Sequence, residues 1–285
     1  MLRNMKYGSF SAAAVNEDAF GAYPDCAWVL DGSTGLSGQH HIPQAGSDAQ
    51  WYASAFSDYL SAVLPCSDLP LRRLFSDGVR KVWQAFHSIS GDIGEPYDIP
   101  CCLGAAIRQR GSFLEYILIG DCSLLIRFRD GTVRELFDGN LGLLDENTLR
   151  VMQRISAEKG LPLSECRQEI LPELRRVRSL MNTDGGYLSL SDKPDSVLHA
   201  PVGCFPSEDV RDLCLISDGF SQYYRSFQLC SGPEAFLEQA RLQTPDALYR
   251  QLLDAQYADS ELSLHPRFKL SDDATIVYAE VDEQQ

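Results

Sequence analysis

Apolar and polar positions along this chain change rhythm several times, and each change predicts an element. Ala27 to Leu30 reads A-W-V-L, a short apolar run that predicts a buried strand. It ends abruptly in the polar turn Asp31-Gly32-Ser33-Thr34-Gly35. From about Ser47 to Leu64, Trp51, Ala55, Tyr59 and Val63 recur four apart, the spacing of one helix face. A second helix is predicted over about Leu69 to Ile89, where Leu71, Leu74, Phe75, Val79, Val82, Trp83 and Phe86 keep a three-and-four rhythm.

The rhythm then shortens. Leu103 to Arg108, Phe113 to Ile119, Ser123 to Arg129 and Thr132 to Phe137 read as successive strands, separated by turns at Arg110-Gly111, Gly120-Asp121 and Asp130-Gly131. This predicts an antiparallel meander. Asn147 to Leu180 reads as helix rich in Arg and Glu, and Met181 to Pro206 as irregular, with Gly185-Gly186, Pro194 and Pro201. Leu213 to Ser217 is a further buried strand ending in Asp218-Gly219. Helices follow at Pro233 to Leu242 and Pro245 to Ala258, and the chain closes on a strand, Ala274 to Val281, opened by Ser271-Asp272-Asp273. Helices in pairs and strands in runs are the α+β signature: two antiparallel sheets packed together, each covered by helices.

Composition narrows this further. At 285 residues, 44% of them hydrophobic, the chain suits one large unit with a sizeable core, and it shows no repeat or interdomain linker. The formal charge of −15 repels phosphate backbones and anionic membranes, so neither nucleic acid nor membrane is expected as a partner. No signal peptide and no run of about 20 apolar residues is found, which predicts a soluble, cytoplasmic protein. None of the nine cysteines forms a C-x-x-C pair, and they read as buried, reduced thiols. The five histidines lack zinc-site spacing, and His40-His41 reads as solvated surface.

The acidic residues carry the chemistry. Asp31 follows W-V-L, Asp121 follows Y-I-L-I-G, Asp218 follows L-C-L-I-S, and Asp272 precedes A-T-I-V-Y-A; Glu17 and Asp18 lie in N-E-D-A ahead of the first predicted strand. Singly, an Asp-Gly after a strand is ordinarily a turn. Strand ends in a sheet domain gather on an edge, however, and several carboxylates there repel one another unless a cation sits among them. Hard divalent cations such as Mg²⁺ or Mn²⁺, which prefer oxygen ligands, fit that inventory.

N-E-D-A, W-V-L-D-G-S-T-G, I-G-D-C-S, L-I-S-D-G and S-D-D-A-T-I-V resemble the signature blocks of the type 2C metal-dependent serine/threonine phosphatases, in that family's order, from Asn16 to Val277. The resemblance implies a four-layer α-β-β-α sandwich over residues 1–285, with a variable flap at about 147–206. It implies hydrolysis of phosphoserine and phosphothreonine on proteins by a metal-activated water at a two-ion Mg²⁺ or Mn²⁺ site. By resemblance, Asp31 bridges the two ions, Gly32 offers its carbonyl to one, Asp218 and Asp272 hold the other, and Glu17 and Asp18 act through bound water. Asp121 matches a position linked to a third, weaker ion.

The chain departs from the family pattern in two places. Many members carry a phosphate-binding Arg four residues before Glu17, where this chain has Ala13. Replacement cations on offer are Arg3, Lys6, Arg175, Arg176 and Arg178; Arg178 is the expected phosphate ligand, since a guanidinium binds phosphate bidentately. Gln222 stands where some members add an Asp to the third-ion site. Two other readings are open at this stage: a type 2C fold that binds or senses a partner without turnover, and a phosphatase of small phosphate esters.

Overall fold

The computed structural model describes residues 1–282. Ten strands and seven α-helices build it, in the order β1 (Leu2–Phe10), β2 (Ala19–Ala22), β3 (Cys26–Ser33), α1 (Asp48–Val63), α2 (Leu71–Ser90), β4 (Cys101–Arg110), β5 (Phe113–Ile119), β6 (Ser123–Phe128), β7 (Val133–Leu136), α3 (Asn140–Lys159), α4 (Leu171–Arg178), β8 (Val202–Pro206), β9 (Val210–Ile216), α5 (Asp218–Arg225), α6 (Pro233–Leu242), α7 (Pro245–Ala258) and β10 (Ala274–Val281). The strands form two five-stranded antiparallel sheets, ordered β1-β10-β9-β6-β7 and β2-β3-β4-β5-β8.

Alternation along the strands explains the layering. On β3, Ala27 and Val29 point into a core between the sheets, with Ala105 and Ile107 from β4 and Leu213, Leu215 and Val277 from the facing sheet. Trp28 and Leu30 point the other way, onto Tyr52, Phe56, Phe75 and Phe86 of α1 and α2. Across the molecule Cys214, Ile216 and Tyr278 do the same against Phe220, Phe236 and Leu252 of α5, α6 and α7. Strands buried on both faces read as continuous apolar runs rather than alternating ones. The result is the expected α+β, α-β-β-α sandwich.

Four expectations need correction. The predicted meander is two hairpins in different sheets: β5 pairs with β4 and β8, whereas β6 pairs with β7 and β9. The chain changes sheets at Gly120-Asp121, where Gly120 takes a left-handed φ of 72° against the Leu103 side chain. The second helical layer is a trio, because α5 starts at Asp218 where Asp-Gly read as a turn; burial of Phe220, Tyr223 and Tyr224 outweighs the glycine. The helix predicted at Asn147–Leu180 is broken into α3 and α4 at Gly160 (φ 64°) and Pro162. The segment read as irregular ends in an edge strand, β8.

Candidate functional site

Strand register brings the acidic residues to one edge. Ile216, last on β9, pairs with Ile276 of β10 on one side and Ser123 of β6 on the other. Continuing past Ile216 reaches Asp218; backing out of β10 reaches Asp272 and Asp273; backing out of β6 reaches Asp121. Ser217 N–H donates to Thr275 O (3.0 Å), and Thr275 N–H to Ser217 Oγ (2.9 Å), locking that junction. Gly219 is required there, since a Cβ would stand 1.9 Å from the Asp273 carbonyl oxygen.

The other sheet supplies Asp31 near the end of β3, paired with Leu103. Bonds from the 16–18 segment tie the sheets together at this edge. Glu17 N–H donates to Asp273 Oδ2 (2.7 Å), Thr275 Oγ1 to Asp18 Oδ2 (2.7 Å) and Thr34 Oγ1 to Glu17 Oε1 (2.6 Å). Gly32 lies so close to Glu17 that a Cβ would meet its carbonyl oxygen at 2.2 Å.

These residues open onto one pocket of about 370 Å³, walled by Glu17, Asp31, Gly32, Asp121, Asp218 and Asp272, with Arg178 among the facing residues. Asp18 is not on the wall; it sits behind, against Thr275. The sequence-predicted acidic residues therefore do converge. Of the candidate cations, Arg178 alone reaches the pocket. Lys6 donates to carbonyls at the end of α6, Arg3 pairs with Asp282, Arg176 with Glu173, and Arg175 donates to Leu36 O (3.1 and 2.9 Å). Arg178 Nη1 donates to Ser33 O (3.1 Å), and Nη2 binds Ser33 Oγ.

The electrostatics are those of carboxylates crowded out of water. Burial, then repulsion from Asp218, pushes the carboxyl of Asp31 well above its ordinary range, and the same two causes act on Asp121. Burial also raises Asp18. Asp272 is raised to about 7 by burial and by Asp218, against the opposing pull of Lys269, whose ammonium is ion-paired with it. The buried oxygens Asp121 Oδ1 and Asp218 Oδ1 have no hydrogen-bond partner, an expensive state for a carboxylate. Oxygen donors left without protein partners fit hard divalent cations such as Mg²⁺ or Mn²⁺. The set is convergent rather than closed: among the described residues, no three His, Cys, Asp or Glu side chains are already grouped as metal ligands.

Sequence reading missed three charged wall residues. Asp145 on α3 lines the pocket, and burial, then repulsion from Asp218, raises it to about 7. Arg167 and Lys269 are also on the wall. None stands at a strand end, so no local pattern marks them. The cysteines are free as read, but not all are buried: Cys66 and Cys204 are exposed, while Cys101 lines the pocket as a buried thiol that burial pushes up, unsuited to attack. His40 is half exposed near Asp48, while His41 buries an unpartnered Nε2. Among the described residues, no helix is long and apolar enough to cross a membrane.

The family model described as "Protein phosphatase 2C" matches residues 9–256. No curated protein matches the chain. Among solved structures, serine/threonine phosphatase Stp1 from Staphylococcus aureus is similar at 13% identity and TM-score 0.57, covering 99% of this chain and 96% of that one. The Mycobacterium tuberculosis serine/threonine phosphatase PstP/Ppp is similar at 18% identity and TM-score 0.53, with 99% of both chains covered. The catalytic domain of PstP in complex with 2 manganese ions gives the same identity, score and coverage.

Proposed function

Because the chain belongs to the protein phosphatase 2C family, we propose that it is a metal-dependent phosphatase acting on phosphoserine and phosphothreonine in proteins. The observation that carries this reading is the meeting of Asp31, Asp121, Asp218 and Asp272 in one pocket, with buried carboxylate oxygens lacking partners and Arg178 facing them. Asp31, Gly32 through its carbonyl, Asp218 and Asp272 would hold two Mg²⁺ or Mn²⁺ ions, with Glu17 and Asp18 placing water around them. Asp121 would serve a third. The 2 manganese ions of the PstP catalytic domain, a protein of the same fold, support this assignment. Such ions, when bound, lower the pKa of a water and withdraw charge from phosphoryl oxygens.

The chain's own groups do the rest. Arg178 holds phosphoryl oxygens in place of the arginine missing at Ala13. Its reach comes from α4, which Arg175 also fastens to the Leu36 carbonyl. Residues 147–206 act as a flap: Arg167, Leu174, Val177, Arg178 and Tyr187 of this stretch wall the pocket. No covalent phosphoenzyme is required, since attack by water completes the displacement in one step.

Hydrolysis of p-nitrophenyl phosphate and a phosphothreonine peptide with Mn²⁺, Mg²⁺ or chelator, beside Asp31→Asn, tests the reading. Phosphate release that needs metal and disappears in the variant is expected. Metal binding at Asp31 without release from either substrate would overturn it in favour of a non-catalytic binding module.

A further inference from the structure

Arg167 and Lys269 come from separate segments and meet on the wall of one pocket. Arg167 Nη1 donates to the carbonyl of Phe268 (3.4 Å), the residue next to Lys269. Both side chains line the pocket, and Lys269 is 52% exposed. Arg167 is exposed and, among the described residues, ion-paired with no carboxylate. Their backbones are anchored. Cys166, Ile170, Met152 and Leu262 form a small separate core, and Phe268 and Leu270, on either side of Lys269, pack against it. Lys269 Nζ is ion-paired with Asp272, which uses one contact of an ammonium that has three N–H donors. An anion beside Arg167 therefore meets two cations on fixed backbone at little further ordering cost.

The phosphoryl group under attack is assigned above to Arg178 and the carboxylate edge, which leaves Arg167 without a role there. We propose that Arg167 and Lys269 form a second anion subsite, so that the preferred substrate is a phosphorylated segment carrying another negative group within a few residues of the phosphorylated one. This rests on the phosphatase reading above. The chemistry is that of a carboxylate or phosphate oxyanion against paired guanidinium and ammonium donors. A chain of net charge −15 repels acidic peptides in general, so this local positive pair selects where such a peptide can approach.

The test uses three phosphothreonine peptides alike except for flanking residues that are neutral, acidic or phosphorylated on a second serine. Two readouts apply: kcat/KM with Mn²⁺ for the wild-type protein, and binding by fluorescence anisotropy to the Asp31→Asn protein, which needs no turnover. An anionic flank is expected to raise kcat/KM and tighten binding by about 3- to 10-fold, with an advantage that shrinks as salt rises. Arg167→Ala should bring the ratio close to one, and Arg167→Lys should restore most of it. Advantage from the second phosphate alone identifies a phosphate site; equal advantage from Asp and Glu identifies a general oxyanion site. Equal binding of all three peptides, or an unchanged preference in Arg167→Ala, would overturn the subsite. Failure of phosphate release alone counts against the phosphatase reading, because the binding measurement stands without it.

Discussion

Arg178 and Ser33 are joined twice, through the Ser33 carbonyl at 3.1 Å and through its hydroxyl, so α4 touches the backbone two residues beyond Asp31. One guanidinium thus spans the distance between the flap and the acidic edge. Replacing it removes a charge-bearing donor at the place where phosphoryl charge develops. Arg178→Ala is expected to lower kcat/KM for p-nitrophenyl phosphate by about 100-fold. Arg178→Lys, which keeps the charge but loses the planar fork, should recover part of that. Steady-state kinetics on the three proteins checks both statements.

Asp31→Asn is expected to have opposite effects with and without metal. In the metal-free protein it removes a carboxyl that burial and Asp218 disfavour as an anion. Relief of about 1 kcal/mol corresponds to a melting temperature higher by about 2–4 °C for a chain of this size class. With Mn²⁺ the wild-type protein should gain stability through binding, and the variant should gain little or none. Thermal melts with chelator and with Mn²⁺ read both.

The acidic edge also sets a pH dependence. Asp272 and Asp145 are raised to about 7 in the folded protein, so between their ordinary range near 4 and about 7 the native state binds more protons than the unfolded chain. Stability of the metal-free protein therefore falls as pH rises through that window. Urea midpoints in chelator at pH 5 and pH 7.5 should show the loss, and Mn²⁺ at pH 7.5 should reverse it. A midpoint that rises with pH in chelator would contradict the crowding of these carboxyls.

Two glycines make a matched pair. Gly219→Ala would drive a methyl to 1.9 Å from the Asp273 carbonyl, forcing Asp218 and Asp272 apart. It should cost about 1–3 kcal/mol and weaken the thermal response to Mn²⁺. Gly142→Ala, on an exposed turn of α3 with open space around the added methyl, should instead stabilise by about 0.5–1 kcal/mol and leave the metal response intact. Melting curves of the two variants provide the comparison.

Much of this protein was determined by local sequence. The bounds of α6, α7, β5 and β10 are those the periodicity predicts, because burial on one face or on both writes itself into neighbouring residues. Asp31, Asp121, Asp218 and Asp272 were legible for the same reason: each adjoins an apolar strand, and register carries strand ends to an edge. Tertiary structure decided what local pattern cannot encode. Nothing in Y-I-L-I-G-D-C-S says that β6 leaves the sheet of β5; its partner β9 (Val210–Ile216) lies far along the chain, and only the folded chain brings the two together. Asp145, Arg167 and Lys269 lie on a helix and two loops, and only the packing of the Cys166–Leu262 cluster and the approach of α3 to Asp218 bring them to the pocket. Pairings between distant segments are chosen by the whole fold's packing, so their chemistry becomes visible only once the chain is folded.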